Sequence, residues 1–532
     1  MKRFLTRWPY FPILYVINAV LSFYFSYFYE TNFREVLFIL ILTILITLFL
    51  GYILFISLHD LNKTAIIVFV GSVLFFSFQG IVSGFRITPL LFRNYDLVRF
   101  WNSSSGQIIV FCIVLLFIAL AIFLVVKLKK FNPKICLYLN ILSAIMILFT
   151  IIRGFEFTSL SINRNKSDNN SFINYWQNEI KKIDFSSDYL EVEKPDIYYI
   201  ILDGFARSDT LLDLYDLDNS EFINELQSRG FYVAAESYSN YSQTRASLAS
   251  ALNMVYLDEV ANLIGEDKSY FYPSYYLIKN NIVEEMLQSI GYETVSFMSE
   301  SSFSNFSDWD VYYNQGNIPS SFTQTFLNTT AISIFINPQL YRWHRESIDY
   351  VLDGLPTVTN LEGSQFIFAH ILCPHPPFVF NSNGSPKKAD RLYVLGDMNE
   401  FLLTGTTTEY KKGYADQVKY IQKEIIVTID RIMNNSKEPF IIIIQADHGP
   451  GLQVQHSNLA ETNTTERFAI LNAFYFYDQD YDRLYPQISP VNTFRVIFSQ
   501  YLGIDQPLLN DEHYYSNYDE MFDFVSVDNL LK

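Results

Sequence analysis

The stretch Phe440-Ile-Ile-Ile-Ile-Gln-Ala-Asp-His-Gly-Pro450 decides the fold of this chain. Its run of β-branched apolar residues is too short to span a membrane, and it is typical of a strand buried on both faces of a parallel sheet. Asp447 and His448 follow directly, where open α/β sheets bind their ligands. An adjacent carboxylate and imidazole can ligate zinc or another divalent cation. A loop Asp and His that only cap a turn are the alternative for this dipeptide alone.

A second carboxylate and a hydroxyl occupy comparable places. The apolar run 196–202 leads straight into Asp203 and Gly204, and the glycine allows close backbone approach. Thr244 stands where a polar stretch gives way to an Ala/Leu run, which predicts a helix N-terminus with free N–H groups. A hydroxyl at that position either caps the helix or acts on an anion bound there.

Four of the seven histidines lie at or just after predicted strands. Strands are predicted at 196–202, 231–236, 293–298, 365–371, 440–445 and 468–476, and helices at 220–229, 281–289 and 414–433. This alternation indicates a mostly parallel α/β sheet. We therefore expect one edge of the sheet to collect Asp203, Thr244, His370, His375, Asp447, His448 and His456.

The N-terminal third has a different composition. Five uncharged apolar runs cover residues 8–29, 36–58, 64–85, 108–126 and 135–152. Each approaches or exceeds the ~20 residues that a membrane-crossing helix requires. A bundle of five transmembrane helices is predicted for 1–153, a polar linker with a short helix at 172–183 for 154–195, and an α/β domain for 196–532.

Charge divides the chain in the same way. Residues 1–153 hold 13 Lys and Arg against 4 Asp and Glu, whereas residues 154–532 hold 25 against 51. The acidic part argues against nucleic-acid binding. Cations flanking the apolar runs favour an inner N-terminus, so five crossings would place the C-terminal domain outside the cytoplasm. The 86–101 loop is the exception, and we expect it to lie on the membrane surface. The three cysteines form no disulfide framework.

These residues predict a chemistry. A divalent cation shared by Asp203, Asp447, His448 and Thr244 would lower the pKa of the Thr244 hydroxyl and make it a nucleophile. Such an ion would stabilise the deprotonated hydroxyl more than a helix terminus does, because a unit charge pair ~4 Å apart contributes about 4 kcal/mol at an effective dielectric of 20. The remaining histidines would bind the oxygens of a tetrahedral anion and protonate its leaving group. Phosphoryl or sulfuryl transfer through a threonine ester is the reaction class.

The motifs Leu-Asp203-Gly, His370-x4-His375 and Ala-Asp447-His448-Gly, with a hydroxyl about forty positions after the first, resemble the alkaline phosphatase superfamily. Its membrane-anchored sulfatase-like branch, which includes phosphoethanolamine and phosphoglycerol transferases, is the most similar. The resemblance implies one tightly bound divalent metal, Zn or Mn. It implies metal ligation by Asp203, Thr244, Asp447 and His448, and substrate contacts by His370, His375 and His456. It also implies a phospholipid donor and an envelope glycan or lipid acceptor at the bilayer.

Several alternatives remain. Ser247 or Ser242 could replace Thr244 as the nucleophile. A sulfatase is an alternative function, although Thr244 lacks the Cys-x-Pro-x-Arg context of such enzymes. A phosphodiesterase is a further alternative. A membrane scaffold of the same fold without turnover is the non-enzymatic reading. Asn240-Tyr-Ser is a glycosylation sequon so close to Thr244 that a glycan would obstruct the site, which favours the bacterial cytoplasmic membrane.

Overall fold

The computed structural model describes residues 8–27, 31–91, 95–128, 132–167, 194–265 and 271–531. The chain folds into two compact units. The membrane unit comprises Met1–Asn169, Pro319–Leu340 and Asp390–Leu392, and the globular unit comprises Asn170–Ile318, Tyr341–Ala389 and Tyr393–Lys532. The chain therefore returns to the membrane unit twice after leaving it, which the predicted division into 1–153, 154–195 and 196–532 does not include.

Among the residues that the structure describes, seven helices form the N-terminal part of the membrane unit. They are α1 (Phe11–Ser26), α2 (Phe33–Leu58), α3 (Leu61–Phe76), α4 (Phe78–Leu91), α5 (Tyr95–Asn102), α6 (Ser104–Lys127) and α7 (Pro133–Ser167). Helix α7 continues beyond the predicted span into the predicted linker. The helix predicted at 172–183 lies outside the described residues.

Within the described residues, three helices are long and apolar enough to cross a membrane, at Phe33–Leu58, Ser104–Lys127 and Lys134–Gly154. A fourth crossing results if Leu61–Phe76 and Phe78–Ile87, bent by 57°, form one span. The remaining run forms only the 16 residues of α1, fewer than the ~20 that a perpendicular crossing requires. All five apolar runs thus coincide with helices, and three to four of the described helices are long enough to cross a membrane.

The globular unit is built around a seven-stranded sheet. Its strands are β1 (Asp196–Leu202), β2 (Tyr232–Val233), β3 (Glu293–Phe297), β4 (Val311–Tyr313), β5 (Gln365–Ile371), β6 (Phe440–Gln445) and β7 (Asn472–Phe476). Their order is β2-β7-β6-β1-β5-β3-β4, and only β7 runs antiparallel to its neighbours. The mostly parallel α/β sheet predicted from the sequence is confirmed. A two-stranded ribbon, β8 (Tyr514–Tyr515) with β9 (Val525–Ser526), lies near the C-terminus.

Helices of the globular unit surround the sheet. The α-helices described after β1 are α8 (Ser208–Tyr215), α9 (Ser220–Ser228), α10 (Thr244–Ala251), α11 (Asp258–Ile264), α12 (Tyr272–Lys279), α13 (Ile282–Ser289), α14 (Ser321–Thr329), α15 (Ser333–Gly354), α16 (Met398–Phe401), α17 (Thr407–Asn435), α18 (Thr464–Phe468) and α19 (Thr493–Tyr501). Of these, α14 and the first part of α15 belong to the membrane unit. Ile197, Tyr199 and Ile201 of β1 are fully buried in a core shared with α10, α12, α13 and α19. Residues buried on both faces explain why the central strands are apolar throughout rather than alternating.

Two predicted strands are shorter than expected. The strand predicted at 231–236 pairs only at Tyr232 and Val233, because the backbone N–H of Glu236 turns to the carbonyl of Pro486. The strand predicted at 468–476 begins at Asn472, because the preceding residues end helix α18 and form isolated bridges. The helix predicted at 414–433 is longer, and a capping box of Thr406 and Glu409 fixes its start.

Candidate metal centre and catalytic site

The two aspartates of the site come together because β1 lies beside β6. Ile201 is paired with Gln445, so the residues two positions later, Asp203 and Asp447, leave the sheet side by side. The N–H of Gly204 donates to Asp447 Oδ1 at 3.1 Å, and the N–H of Asp203 donates to the carbonyl of Ile371 at 3.0 Å. The ends of three adjacent strands therefore hold both carboxylates.

Unsatisfied acceptors mark this place as a cation site. Among the described residues, Asp203 Oδ1 and Asp447 Oδ2 are buried without a hydrogen-bond partner, and so is His370 Nε2. Ligand atoms of these three residues lie within 4.8 Å of one another. Two adjacent buried carboxylates, each with one oxygen that lacks a donor, are strongly unfavourable unless a positive charge compensates them. The residues present therefore fit a divalent metal ion, whose identity the donor set leaves open.

His448 presents a lone pair to the same place. Its Nδ1 donates to the Gly449 carbonyl at 2.8 Å, and a carbonyl oxygen can only accept, so Nε2 is the unprotonated nitrogen. That Nε2 lies 3.3 Å from Asp447 Oδ2 and 3.9 Å from Asp203 Oδ1. Burial, together with the nearby cation of Arg467, lowers the pKa of His448 and keeps the ring neutral.

Thr244 is the hydroxyl residue that reaches this centre. It is the first residue of α10, and its Oγ1 lies 3.0 Å from His448 Nε2. Its side chain is half-buried, unlike the buried ligands around it. The other two candidate nucleophiles are buried and engaged elsewhere: Ser247 donates to the Tyr241 carbonyl at 3.0 Å, and Ser242 accepts from the N–H of Ser516 at 3.2 Å.

His370 lies deeper than the substrate-side role expected of it. It is buried within β5, with Nδ1 2.7 Å from the Ser304 hydroxyl and Nε2 3.2 Å from Asp203 Oδ2. The structure thus groups it with the aspartates rather than with the more accessible histidines. Burial alone would raise the pKa of Asp203, but His375, His370 and His448 outweigh burial and hold that pKa well below its usual range.

His375 and His456 stand on the accessible side. His375 donates its backbone N–H to the Asp203 carbonyl at 3.1 Å, and its Nδ1 donates to the carbonyl of Pro376 at 2.6 Å. Burial would lower the pKa of His375, but the negative charges of Asp203 and Asp397 raise it above its usual value. His456 Nε2 lies 3.6 Å from Asp397 Oδ2.

Asp397 and Arg467 belong to the site, although sequence reasoning did not identify them. Arg467 is buried and donates to three acceptors: Asp397 Oδ2 at 2.6 Å, the Ser242 carbonyl at 2.6 Å and the Gly449 carbonyl at 3.1 Å. It therefore joins the segment before Thr244 to the loop after β6. Burial would raise the pKa of Asp397, but Arg467 and His456 hold it well below the usual range. Neither residue follows a predicted strand or lies in a motif, so the sequence offered no signal.

The sequon residue Asn240 is not available to a glycan in the folded chain. Its side chain is fully buried, and Nδ2 donates to Ser489 Oγ at 2.9 Å and to the Glu512 carbonyl at 3.0 Å. Its Oδ1 accepts from the N–H of Val491 at 2.8 Å. Asn240 therefore supports the loop that leads to Thr244.

A family model described as Sulfatase matches residues 195–494, more than half of the chain. The chain is also similar to solved structures. The C-terminal periplasmic domain of EcEptC from Escherichia coli, in complex with Zn, is 14% identical with a TM-score of 0.43, over 64% of this chain and 94% of that one. The integral membrane lipooligosaccharide phosphoethanolamine transferase A (EptA) from Neisseria meningitidis is 13% identical with a TM-score of 0.40, over 93% and 96%. No curated protein sequence matches the chain.

Proposed function

Because the chain belongs to the sulfatase family of the alkaline phosphatase superfamily, we propose that it is an integral-membrane, metal-dependent enzyme that acts on phosphoethanolamine-type or phosphoglycerol-type groups. It transfers or hydrolyses such a group on an envelope lipid or glycan through a covalent Thr244 ester. A phospholipid is the donor. The observation that carries this proposal is the Thr244 hydroxyl, half-buried and 3.0 Å from the unprotonated Nε2 of His448, beside two buried carboxylates.

The metal site of the proposal uses Asp203, Thr244, Asp447 and His448, with His370 close enough to be a further ligand or to orient Asp203. A bound divalent cation such as Zn or Mn supplies Lewis acidity and lowers the pKa of the coordinated hydroxyl. The chain itself holds Thr244 at a helix N-terminus, where the backbone N–H groups favour a negative charge.

In the chemical step, Thr244 Oγ1, after losing its proton to solvent, forms a bond to phosphorus while the bond to the departing alcohol oxygen breaks. His375, whose pKa is raised by the negative charges of Asp203 and Asp397, donates a hydrogen bond from its protonated form to a phosphoryl oxygen. His375 or His456 gives its proton to the departing oxygen. The hydroxyl of an acceptor, or water, then attacks the phospho-threonine, and Thr244 leaves with a proton.

The membrane placement is part of the same proposal. We expect five crossings, with the bent pair α3 and α4 as one span and α1 as another, and a C-terminal domain outside the cytoplasm of a bacterial cell. An anchored active site encounters a lipid donor at high effective concentration, because donor and enzyme share one surface. This arrangement explains why an acidic globular unit follows a basic, apolar N-terminal third.

The test is a mass measurement on the full-length chain in proteoliposomes that contain phosphatidylethanolamine or phosphatidylglycerol. We expect a covalent adduct of phosphoethanolamine or phosphoglycerol mass on the peptide that contains Thr244. Thr244→Ala should remove the adduct and lower turnover by about 10³-fold or more. Ser247→Ala is the matched control, because Ser247 lies one helical turn away and makes only a backbone contact.

Other outcomes identify the rival functions. An adduct that moves to Ser247 or Ser242 overturns the assignment of the nucleophile. Turnover of a sulfate ester without a phospholipid adduct would identify a sulfatase. Release of the group to water, with no transfer to an acceptor, would identify the hydrolytic form of the proposed activity, a phosphodiesterase. Cys373 offers no route to sulfatase activity, because it is fully buried and burial raises the pKa of its thiol well above the usual value. If Thr244→Ala and Asp447→Ala both keep every cellular phenotype, the chain is a scaffold.

A further inference from the structure

One segment of the C-terminal part has a membrane-like composition. From Val311 to Tyr341 the sequence carries no Asp, Glu, Lys, Arg or His, although one residue in five is charged across residues 154–532. Long uncharged stretches in a highly charged region are typical of contact with an apolar medium, because charged side chains there are costly. Most of this stretch, Pro319–Leu340, belongs to the membrane unit. We refer to residues 319–340 as the returning segment.

The first half of the returning segment packs its aromatic rings on the membrane helices. Phe322 and Phe326 of α14 are buried in a cluster with Val20, Tyr24, Val36 and Ile39. The ring centroid of Phe23 lies 5.1 Å from that of Phe322 and 5.3 Å from that of Phe326.

The second half satisfies a backbone group at the break between α3 and α4. The N–H of Ala331 donates to the carbonyl of Phe75 at 3.0 Å, and Gln79 Nε2 donates to Ser333 Oγ at 3.1 Å. Ala331 itself is buried against Phe78, Val82, Val110 and Val114. A helix carbonyl freed by a break must find a donor when water is excluded. The returning segment supplies that donor, so it is an integral part of the bundle.

A polar contact fixes the beginning of the segment. The hydroxyls of Ser320 and Thr323 both donate to Glu35 Oε1, in the first turn of α2. Ser320 is also the N-cap of α14, so the carboxylate of Glu35 lies at the positive end of that helix.

All of these contacts are made at one end of the bundle. Tyr24 is near the end of α1, Val36 near the start of α2, Phe76 at the end of α3 and Val110 near the start of α6. Successive antiparallel spans place alternate starts and ends on the same side of a bilayer. The Cβ position of Gly154, which ends the Lys134–Gly154 span, approaches Phe25 of α1. The returning segment thus lies at the membrane face toward which the chain leaves α7.

Phe335 is the side chain that this packing leaves uncovered. It is 66% exposed, and its ring contacts Phe111 of α6 with centroids 5.5 Å apart. Phe111 is seven residues into α6, about 10 Å along the helix axis from its first residue. The adjoining surface of α6 is apolar and exposed at Ile108, Ile109 and Leu115, as expected of a spanning helix that faces lipid.

We infer that the returning segment is a second membrane-contacting element, embedded in the outer leaflet, whose Phe335 face is covered by lipid acyl chains. The occupant is lipid because Phe335 continues the apolar surface of a spanning helix and its segment carries no charge. The element adds residues after 196 to those that hold the chain in the membrane. This inference rests on the proposed membrane placement, but it goes beyond the proposed chemistry and does not require it.

Fluorescence quenching by nitroxide-labelled lipids tests the inference on the full-length chain in liposomes. Cys112, the exposed native cysteine, is changed to serine, whereas Cys136 and Cys373 are buried. A fluorophore is then attached to Phe335→Cys. The lipid-facing reference is Leu116→Cys in α6 and the aqueous reference is Leu212→Cys in the globular unit, which are 69% and 55% exposed. We expect Phe335→Cys to lose as much fluorescence as Leu116→Cys.

Quenching of Phe335→Cys only as weak as that of Leu212→Cys would overturn the inference. The same weak quenching is expected if a second copy of the chain, rather than lipid, covers Phe335. If labelled Phe335→Cys does not fold, as judged by size-exclusion chromatography, half-buried Ile332→Cys is measured against the same references and decides between the same two outcomes. The background Thr244→Ala should leave the quenching unchanged. Failure of the proposed catalysis is therefore distinguishable from failure of this inference.

Discussion

Arg467 shows how one side chain can hold an active site together. Its guanidinium bonds three acceptors that come from separate segments: Asp397, Ser242 and Gly449. Arg467→Ala would leave the Asp397 carboxylate buried without its cation, and removing one partner of a buried ion pair costs about 3–5 kcal/mol. We expect the free energy of unfolding of the globular unit to fall by that amount in denaturant titrations of the solubilised chain.

The matched control for this prediction is Arg431→Ala. Arg431 pairs with Asp353 at 2.8 Å, but both side chains are largely exposed, and such surface pairs contribute about 0–1 kcal/mol. Equal losses in the two variants would show that Arg467 does not support the site in the manner described.

Asp196 carries a pH dependence that can be measured apart from the proposed metal centre. Burial raises the pKa of Asp196 to about 6, with Glu438 adding to the effect and the N–H of Gln365 opposing it. The folded chain therefore binds a proton more tightly than the unfolded chain, whose Asp pKa is ~3.9. Stability that is present below that value is lost as the pH rises through about 6.

Asp196→Asn removes this titration while keeping an oxygen that can accept from the N–H of Gln365, which lies 2.8 Å away. We expect the variant to be more stable than the parent at pH 8, by about 1–2 kcal/mol after allowance for partial solvent access. At pH 4 the two should unfold alike. Asp209→Asn is the opposite control, because hydrogen bonding and charge from Arg207 overcome burial and lower the pKa of Asp209. A variant of Asp196 that is less stable at pH 8 contradicts the prediction.

At the scale of the elements, two glycines that follow strands have different roles. A Cβ on Gly449 would lie 2.0 Å from the carbonyl oxygen of Glu466, a backbone atom that cannot move alone. Gly204 has a φ of +72°, and no atom lies within 4 Å of the position of its Cβ. The first glycine is required by close approach and the second by backbone conformation.

Gly449→Ala should therefore displace the loop that carries Asp447 and His448, and a shift of about 1 Å in such groups lowers turnover by roughly 10²-fold. Gly204→Ala should lower stability by about 1–2 kcal/mol with a smaller loss of turnover, because only the left-handed conformation is strained. Steady-state kinetics and thermal denaturation of the two variants separate these effects. The reverse ranking of their turnover would contradict the explanation.

Elements whose ends depend on local residues were predicted well, and those that depend on distant partners were not. Strands β1, β5 and β6 begin and end as the sequence indicated, since burial on both faces selects continuous apolar runs. The break at Ser77 was missed because no Pro or Gly marks it, and its backbone donor is Ala331, more than 250 positions away. The predicted strand at 468–476 was too long for a similar reason, since pairing to distant segments sets its start.

For the whole molecule, hydropathy and charge predicted the separation into an apolar N-terminal part and an α/β part. The sequence could place Asp203, Asp447 and His448 near one another because each follows a central strand, and parallel strands bring such ends to one edge. Their roles stay a prediction, and Thr244 reaches them from the start of α10. Arg467, Asp397 and the burial of His370 required the structure, because loop packing rather than strand order determines them. The uncharged stretch after Asp310 was visible in the sequence, yet it is broken by Asn, Pro and Gly and has too few consecutive apolar residues for a spanning helix.

The hydrogen bond from Ala331 to Phe75 has a consequence for biosynthesis. The ribosome delivers the N-terminal helices long before it reaches residue 331, so the bundle first enters the bilayer with an unsatisfied carbonyl at the α3–α4 break. Final assembly of the bundle must then wait until more than half of the polypeptide has been made. A nascent chain arrested before residue 319 should remain loosely assembled and sensitive to membrane proteases, because the returning segment would still be missing from the anchor.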